Sequence, residues 1–177
     1  MAERGVAKSM ERVEAVLRRR PSVGLHDDAT AVARWETGTR VVSTHTNGAR
    51  IPTDMPVELG GTGDQVSPGW LFRAGIASCA ATVIAMGAAA AGIELAALEI
   101  SASSRSDTRG LLGMTDDDGK PVPAGTRDLQ LRVRIAAPGI SADRLRALVE
   151  VGLRRSPIYA ALLGSVPVAV DTEVDAR

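Results

Sequence analysis

The sequence predicts an α+β fold, and three observations carry that prediction. β-Branched runs punctuated by turn residues fill positions 30–50. A long uncharged stretch, "LFRAGIASCAATVIAMGAAAAGI", follows at Leu71–Ile93. The second half then offers a strictly alternating run and an amphipathic helical run in succession.

In chain order, residues 4–20 read as an amphipathic helix. Val6, Met10, Val13 and Leu17 recur at helical spacing, with Pro21 after the end and Gly24 opening the next segment. Thr30–Trp35 and Thr39–Thr46 read as strands joined by "ETGT", a short hairpin link carrying Gly38. Asn47–Gly48 marks another turn, so a third strand is expected to start near Ala49. A loop rich in Pro and Gly, "PTDMPVELGGTGDQVSPG", leads to a helix start, with Ser67 as N-cap and Pro68 at the first helical position. Within it "GGTGD" (Gly60–Asp64) lacks the further residues of a phosphate cradle and reads as a flexible lead. The helix is expected to run to about Ala91 and to stop at Gly92 in the left-handed conformation. Leu95–Ser104 alternates as a strand, and residues 109–128 form a loop. In the next strand Leu129, Leu131, Val133 and Ile135 face one side, with Gln130, Arg132 and Arg134 on the other. Ser141 caps a helix reaching Arg155, a further turn or two starts at Pro157, and "VPVAVDTEV" (166–174) is expected to close the chain as a strand.

Composition bounds the function. The 177 residues suit one domain, 45% of them hydrophobic and 24% charged. Net charge is zero and aromatics are 2%, so neither the basic footprint nor the stacking platform of a nucleic-acid binder is present. One cysteine and two histidines, His26 and His45, argue against a structural metal site, and no cofactor is expected. The N-terminus is charged throughout and lacks the apolar core of a secretory signal, so the expected location is the cytoplasm. No charge falls between Arg73 and Glu94, which raises a membrane span. Yet Ala and Gly dominate the stretch, and aromatic belts do not flank it on both sides. A helix apolar on every face can instead be buried in protein, and sharing it with a second copy would hide it.

The one cysteine, Cys79, lies about three turns inside this helix, too far for the helix N-terminus to activate it. The residues alone leave an inert buried thiol, a Cys–His dyad and a thiol activated by a cation from another segment all open.

The stretch "PVELGGTGDQVSPGWLFRAGIASCAATV" resembles the signature region of the OsmC/Ohr family, the osmotically inducible protein C and organic hydroperoxide resistance proteins. The similar features are the Pro–x–x–Leu–Gly–Gly loop at Pro56–Gly61, the Pro68 helix start, Leu71–Gly75, and Ala77–Cys79. The likeness extends through "SPIY" and "VPVAV", leaving residues 1–22 as an N-terminal helical addition to one domain, 23–177. It implies an intertwined homodimer whose strands wrap long central helices. It also implies thiol peroxidase chemistry on organic hydroperoxides in oxidative-stress defence: one cysteine attacks, a second resolves, and an arginine held by a glutamate stabilises the thiolate. Carried over, Cys79 matches the attacking cysteine and Arg40 the arginine, with Arg50 and Arg73 as the next cations to consider. Gly69 stands where the glutamate would be, and Ser156 where the resolving cysteine would be. A hydroxyl forms no disulfide, so an oxidised Cys79 needs an external thiol. The competing readings are a non-catalytic homologue that binds a hydrophobic small molecule beside Cys79, and a purely structural one.

Overall fold

The computed structural model describes residues 2–164 and 166–174. Helix α1 (Ala2–Arg19) runs into a single 3-10 turn at Pro21–Gly24. Strands β1 (Val32–Thr37), β2 (Arg40–Thr44) and β3 (Arg50–Thr53) form an antiparallel sheet in that order. After a 3-10 turn at Val57–Leu59 comes the long helix α2 (Pro68–Ala90). Strand β4 (Ala97–Arg105), short helix α3 (Thr108–Leu111), strand β5 (Arg127–Ala136), and helices α4 (Ala142–Arg155) and α5 (Pro157–Leu163) complete the order. β4 and β5 make a separate antiparallel pair.

Local chemistry sets the boundaries. Thr37 pairs with Arg40 across a two-residue link in which Gly38 takes φ +53, the positive value a tight hairpin requires at its first position. Ser67 accepts the Trp70 N–H and Ser141 the Arg144 N–H, so α2 and α4 both begin on a serine cap. α2 ends in a Schellman arrangement: Gly92 is at φ +65, Ile93 N–H reaches Ala88 O at 2.9 Å, and Gly92 N–H reaches Ala89 O at 3.1 Å.

α2 packs on α1, β4, α4 and α5. Its buried stripe is Ile76, Ala80, Ile84 and Ala88, a four-residue repeat along one face. The crossing with α4 depends on missing side chains. A Cβ on Gly152 would lie 2.5 Å from Ile84 Cγ1 and 3.2 Å from Ile84 Cα, and one on Gly87 would lie 3.2 Å from Leu148 Cδ1. On the β4–β5 pair, Leu98, Ile100, Ala102, Leu129, Leu131, Val133 and Ile135 are the less exposed residues, alternating with exposed ones as the sequence pattern requires.

Two expectations need correction. The 109–128 loop is preceded and entered by α3, which Asp107 caps by accepting the Arg109 N–H. No strand forms over 166–174: Val166, Val168, Val170 and Val174 are exposed, and a strand has no stability without a neighbour to pair with. Within one chain α2 is only partly covered, and its expected burial against a second copy is a separate matter. Trp70 (49% exposed), Phe72 and Met86 remain open to solvent, although the helix is apolar on every face.

Gly152→Ala should destabilise the chain by about 1–3 kcal/mol, the usual cost of forcing a methyl into a filled contact. Chemical denaturation reads this directly, and an unchanged midpoint would mean that α2 and α4 do not approach this closely.

Candidate functional site

Cys79 is half-buried on α2, and the junction of α4 and α5 meets it. Pro157 biases the residue before it toward extended backbone, and Ser156 takes φ −74, ψ 115. That residue ends α4 and turns the chain into α5. Ser156 is fully buried, and its Oγ donates a hydrogen bond to Cys79 Sγ at 3.2 Å. α5 then lies beside the preceding turn of α2, where a Cβ on Gly75 would be 3.9 Å from Ile158 Cδ1. The fold thus brings together two residues 77 positions apart in sequence.

Arg40 belongs to a second cluster. It opens β2 and faces Asp54, which follows β3 and is 2% exposed. Asp54 accepts from Thr39 Oγ1, from Arg40 Nη2 at 3.1 Å, from Thr62 Oγ1 at 2.8 Å and N at 3.2 Å, and from its neighbour Met55 N at 2.8 Å. Arg40 Nη2 also donates to Thr62 Oγ1 at 2.6 Å and to Asp64. A cavity of about 370 Å³ opens here, lined among others by Thr37, Arg40, Gly61, Thr62 and Asp64. The hydrogen bond from Thr39, and then that from Thr62, hold the Asp54 carboxyl far below the ordinary aspartate range, against the opposing effect of burial. Thr62, with help from Gln65 and Arg40, lowers Asp64 as well, and the bond to Asp54 raises Arg40.

"GGTGD" is therefore no flexible lead. Gly60 sits at φ +82, and a Cβ on Gly61 would fall 1.7 Å from Met55 O, so the loop is pinned against Asp54 through residues only glycine can supply. Asp54 itself escaped sequence reading. A lone acid after a short strand carries no periodic signal, and its donors come from positions 39, 40, 55 and 62.

The other candidates are elsewhere. Arg73 donates to Ser104 Oγ at 3.4 Å, and a Cβ on Gly69 would lie 3.7 Å from Arg73 Nη1. Arg50 pairs with Glu36 at 3.3 Å on the surface. His45 Nδ1 accepts from Asn47 N in the β2–β3 turn, and His26 lies 3.8 Å from Asp28. Among the described residues, no group of three or more His, Cys, Asp or Glu side chains is placed to hold a metal ion.

Comparison with known proteins sets these clusters in context. A family model described as OsmC-like protein matches residues 61–171, which include Cys79, Ser156 and the end of the Arg40 network. No curated protein matches the sequence. Among solved structures, an OsmC-like protein from Mycoplasma pneumoniae superposes with TM-score 0.65 at 18% identity, covering 80% of this chain and 91% of its own. An OsmC-like protein of unknown function from Vibrio cholerae gives TM-score 0.61 at 15% identity, covering 77% and 94%. An organic hydroperoxide resistance protein from Legionella pneumophila gives TM-score 0.53 at 24% identity, covering 78% and 93%. At these identities the structural likeness establishes the fold.

Acid sensitivity should follow from Asp54. Its folded pKa is depressed, so its stabilisation is present above the ordinary aspartate value near 3.8 and is lost as pH falls through the folded value. Asp54→Asn should be less stable than the parent at neutral pH. It should lose less stability on acidification, as measured by urea unfolding at the two pH values. Equal losses in both proteins would remove Asp54 from the acid response.

Proposed function

The chain belongs to the OsmC-like protein family, and from that premise we propose that it is a thiol-dependent peroxidase for organic hydroperoxides, with Cys79 as the attacking sulfur and an external thiol as the reductant. The observation that carries this reading is the 3.2 Å contact between Ser156 and Cys79. The position that the resemblance assigns to a second thiol touches the first, and it holds a hydroxyl. In the proposed reaction the Cys79 thiolate attacks the terminal peroxide oxygen and the O–O bond breaks. The alkoxide leaves as an alcohol with one proton, and sulfur becomes a sulfenic acid. An external thiol displaces water to give a mixed disulfide, and a second releases Cys79 as thiol and leaves as disulfide. No cofactor enters these steps. The Legionella pneumophila and Bacillus subtilis structures of similar fold are both described as organic hydroperoxide resistance proteins, which supports the choice of electrophile.

The proposal places the protein in the cytoplasm, in oxidative-stress defence, as a homodimer in which a second copy covers the open face of α2. α2 is the one helix among the described residues long and apolar enough to cross a membrane by length and composition. The family's proteins are soluble, and one such helix does not indicate a membrane protein. Arg40 is the proposed cation for Cys79, although within its own chain its hydrogen bonds go to Asp54, Thr62 and Asp64. The alternative reading, non-catalytic binding of a hydrophobic molecule, has its own observation. A groove of about 560 Å³ lies between β5 and α4, lined in part by Val133, Ile135, Leu145 and Val149.

One equivalent of cumene hydroperoxide should consume the single thiol and add one oxygen to the intact mass, while Cys79→Ser stays unchanged. A parent thiol that survives, together with thermal stabilisation by apolar ligands, would overturn the peroxidase and favour the binder. Arg40→Ala should slow the same reaction, and an equal rate would confine Arg40 to the loop network. Ser156→Cys should close a disulfide with Cys79 after oxidation, which needs Cα atoms about 4.4–6.8 Å apart, and should resist over-oxidation to sulfinic acid. A folded variant that never forms the bridge would contradict the pairing. Light scattering should give twice the chain mass at micromolar concentration, and a stable monomer would sink the dimer.

A further inference from the structure

Strands β4 and β5 pair in unbroken register from Ala97 with Ala136 to Ser103 with Gln130. Continued to Arg105, that register sets it opposite Asp128, a pair of opposite charge. The chain does otherwise. The ladder shifts between Ser103 and Arg105, and Arg127 comes to lie directly opposite Arg105. Asp128 takes up the extra residue at φ +51, and among the described residues it alone, glycines apart, has a positive φ. Like charges directly opposite on an antiparallel pair destabilise it, so folding gives no reason for this register. Bulges that re-aim a side chain concentrate at sheet edges and beside active sites. Both arginines are exposed, on the face turned away from α2. The other face meets α2, where Ser104 accepts from Arg73 at 3.4 Å.

A hollow of about 410 Å³ opens where the two arginines meet. Arg109 also lines it, but its guanidinium is engaged: Nε and Nη2 donate to the two oxygens of Asp107 at 3.1 and 2.8 Å. Arg105 is held loosely, 3.8 Å from Asp128. Among the described residues, no carboxylate lies within ion-pair distance of the Arg127 guanidinium. Three arginines against two aspartates leave the hollow with one positive charge in excess, and Ser106 and Thr108 add hydroxyl donors. We propose that this hollow binds a phosphate group, gripped between Arg105 and Arg127 with Ser106 and Thr108 beside it. A guanidinium matches phosphate oxygens in pairs. Side chains directly opposite across a ladder start about 4.5–5.5 Å apart at Cβ, so both arginines reach one phosphate from its two sides. An anion between them turns their repulsion into two attractions and accounts for the shifted register.

The rest of this face shows the ordinary use of basic residues on a strand. Arg134 stands opposite Glu99, 3.8 Å from its carboxylate. Arg132 stands opposite Ser101, a small neutral residue, and lies outside the hollow. It has the same charge and the same exposed face as Arg127 without a like-charged residue across from it, which makes it the internal control. The hollow is on the opposite face of the ribbon from α2, which carries Cys79, so phosphate binding there does not depend on the peroxidase reading. A free phosphate ion and the end of a phosphate ester present the same oxygens to the two arginines, and titration with each separates the sources.

The test is calorimetric titration with inorganic phosphate and with phenyl phosphate, at constant ionic strength, of the parent, Arg105→Gln, Arg127→Gln and Arg132→Gln. One saturable site per chain for either probe supports the assignment, provided that Arg105→Gln and Arg127→Gln each weaken it about tenfold or more and Arg132→Gln leaves it unchanged. Tighter binding of phenyl phosphate assigns the site to phosphate esters, and equal or tighter binding of inorganic phosphate assigns it to the free ion. No saturable binding of either probe, parent-like binding in Arg105→Gln or Arg127→Gln, or the same weakening in all three variants overturns it. Thermal unfolding decides separately. Phosphate should raise the melting temperature of the parent. Arg127→Glu, which sets opposite charges across the ladder, should melt higher than the parent without phosphate and gain nothing from its addition. A parent unmoved by phosphate, or an Arg127→Glu chain that phosphate stabilises as much as the parent, overturns the site.

Discussion

The close crossing of α2 and α4 is the contact on which the rest depends. The chain has a single Phe, a single Tyr and two Trp, so large side chains cannot fill the space between its helices. Cohesion must come from bringing backbones together, because dispersion falls away quickly with separation. Gly152 against Ile84 and Gly87 against Leu148 make that approach possible. Ser156 lies four residues beyond Gly152, on the same face of the helix, and so it is carried to Cys79 by the crossing itself. The chemistry of the thiol and the packing of the core are thus fixed by one geometric feature.

The Arg40 cluster is held by different physics. Its core is a buried carboxylate saturated with donors from a hairpin link and a glycine loop. Arg40 contributes one positive charge against the two negative charges of Asp54 and Asp64, so the three side chains together carry net minus one. A guanidinium so engaged has much of its positive field cancelled by its own carboxylate partners. Within one chain its visible work is to pin the 60–64 loop, while the donor in contact with the sulfur is Ser156. Any action of Arg40 on Cys79 has to loosen the half-exposed Asp64 rather than the buried Asp54.

Periodicity made most of the fold legible. The α1 helix, the Ser67 and Ser141 caps, the Gly92 stop and the alternation of β5 all reflect short-range rules, and each element formed close to its expected bounds, although Val6 and Val13 of the α1 stripe stay exposed. The pairing of Ser156 with Cys79 was reachable through resemblance alone, since no local pattern links residues so far apart in sequence. Asp54 was not legible at all, because burial and donors arrive from four separate places in the chain. Val166, Val168 and Val170 show the opposite failure. Their alternation is genuine, but a pattern encodes a wish for burial and does not supply the neighbouring strand.

The same distinction bears on α2. Length and apolarity alone admit a bilayer as its surroundings. The buried stripe argues for protein instead. Its small and β-branched residues repeat every four positions and meet a glycine of matching position on α4, an arrangement that specifies one partner helix rather than a fluid solvent. Yet this explains one face only. The absence of charge between Arg73 and Glu94 extends around the whole helix, and Trp70, Phe72 and Met86 lie outside the stripe. A single chain gives no reason for apolar residues there. A second copy of the same helix would, because a self-complementary contact buries the same open face twice with one set of residues.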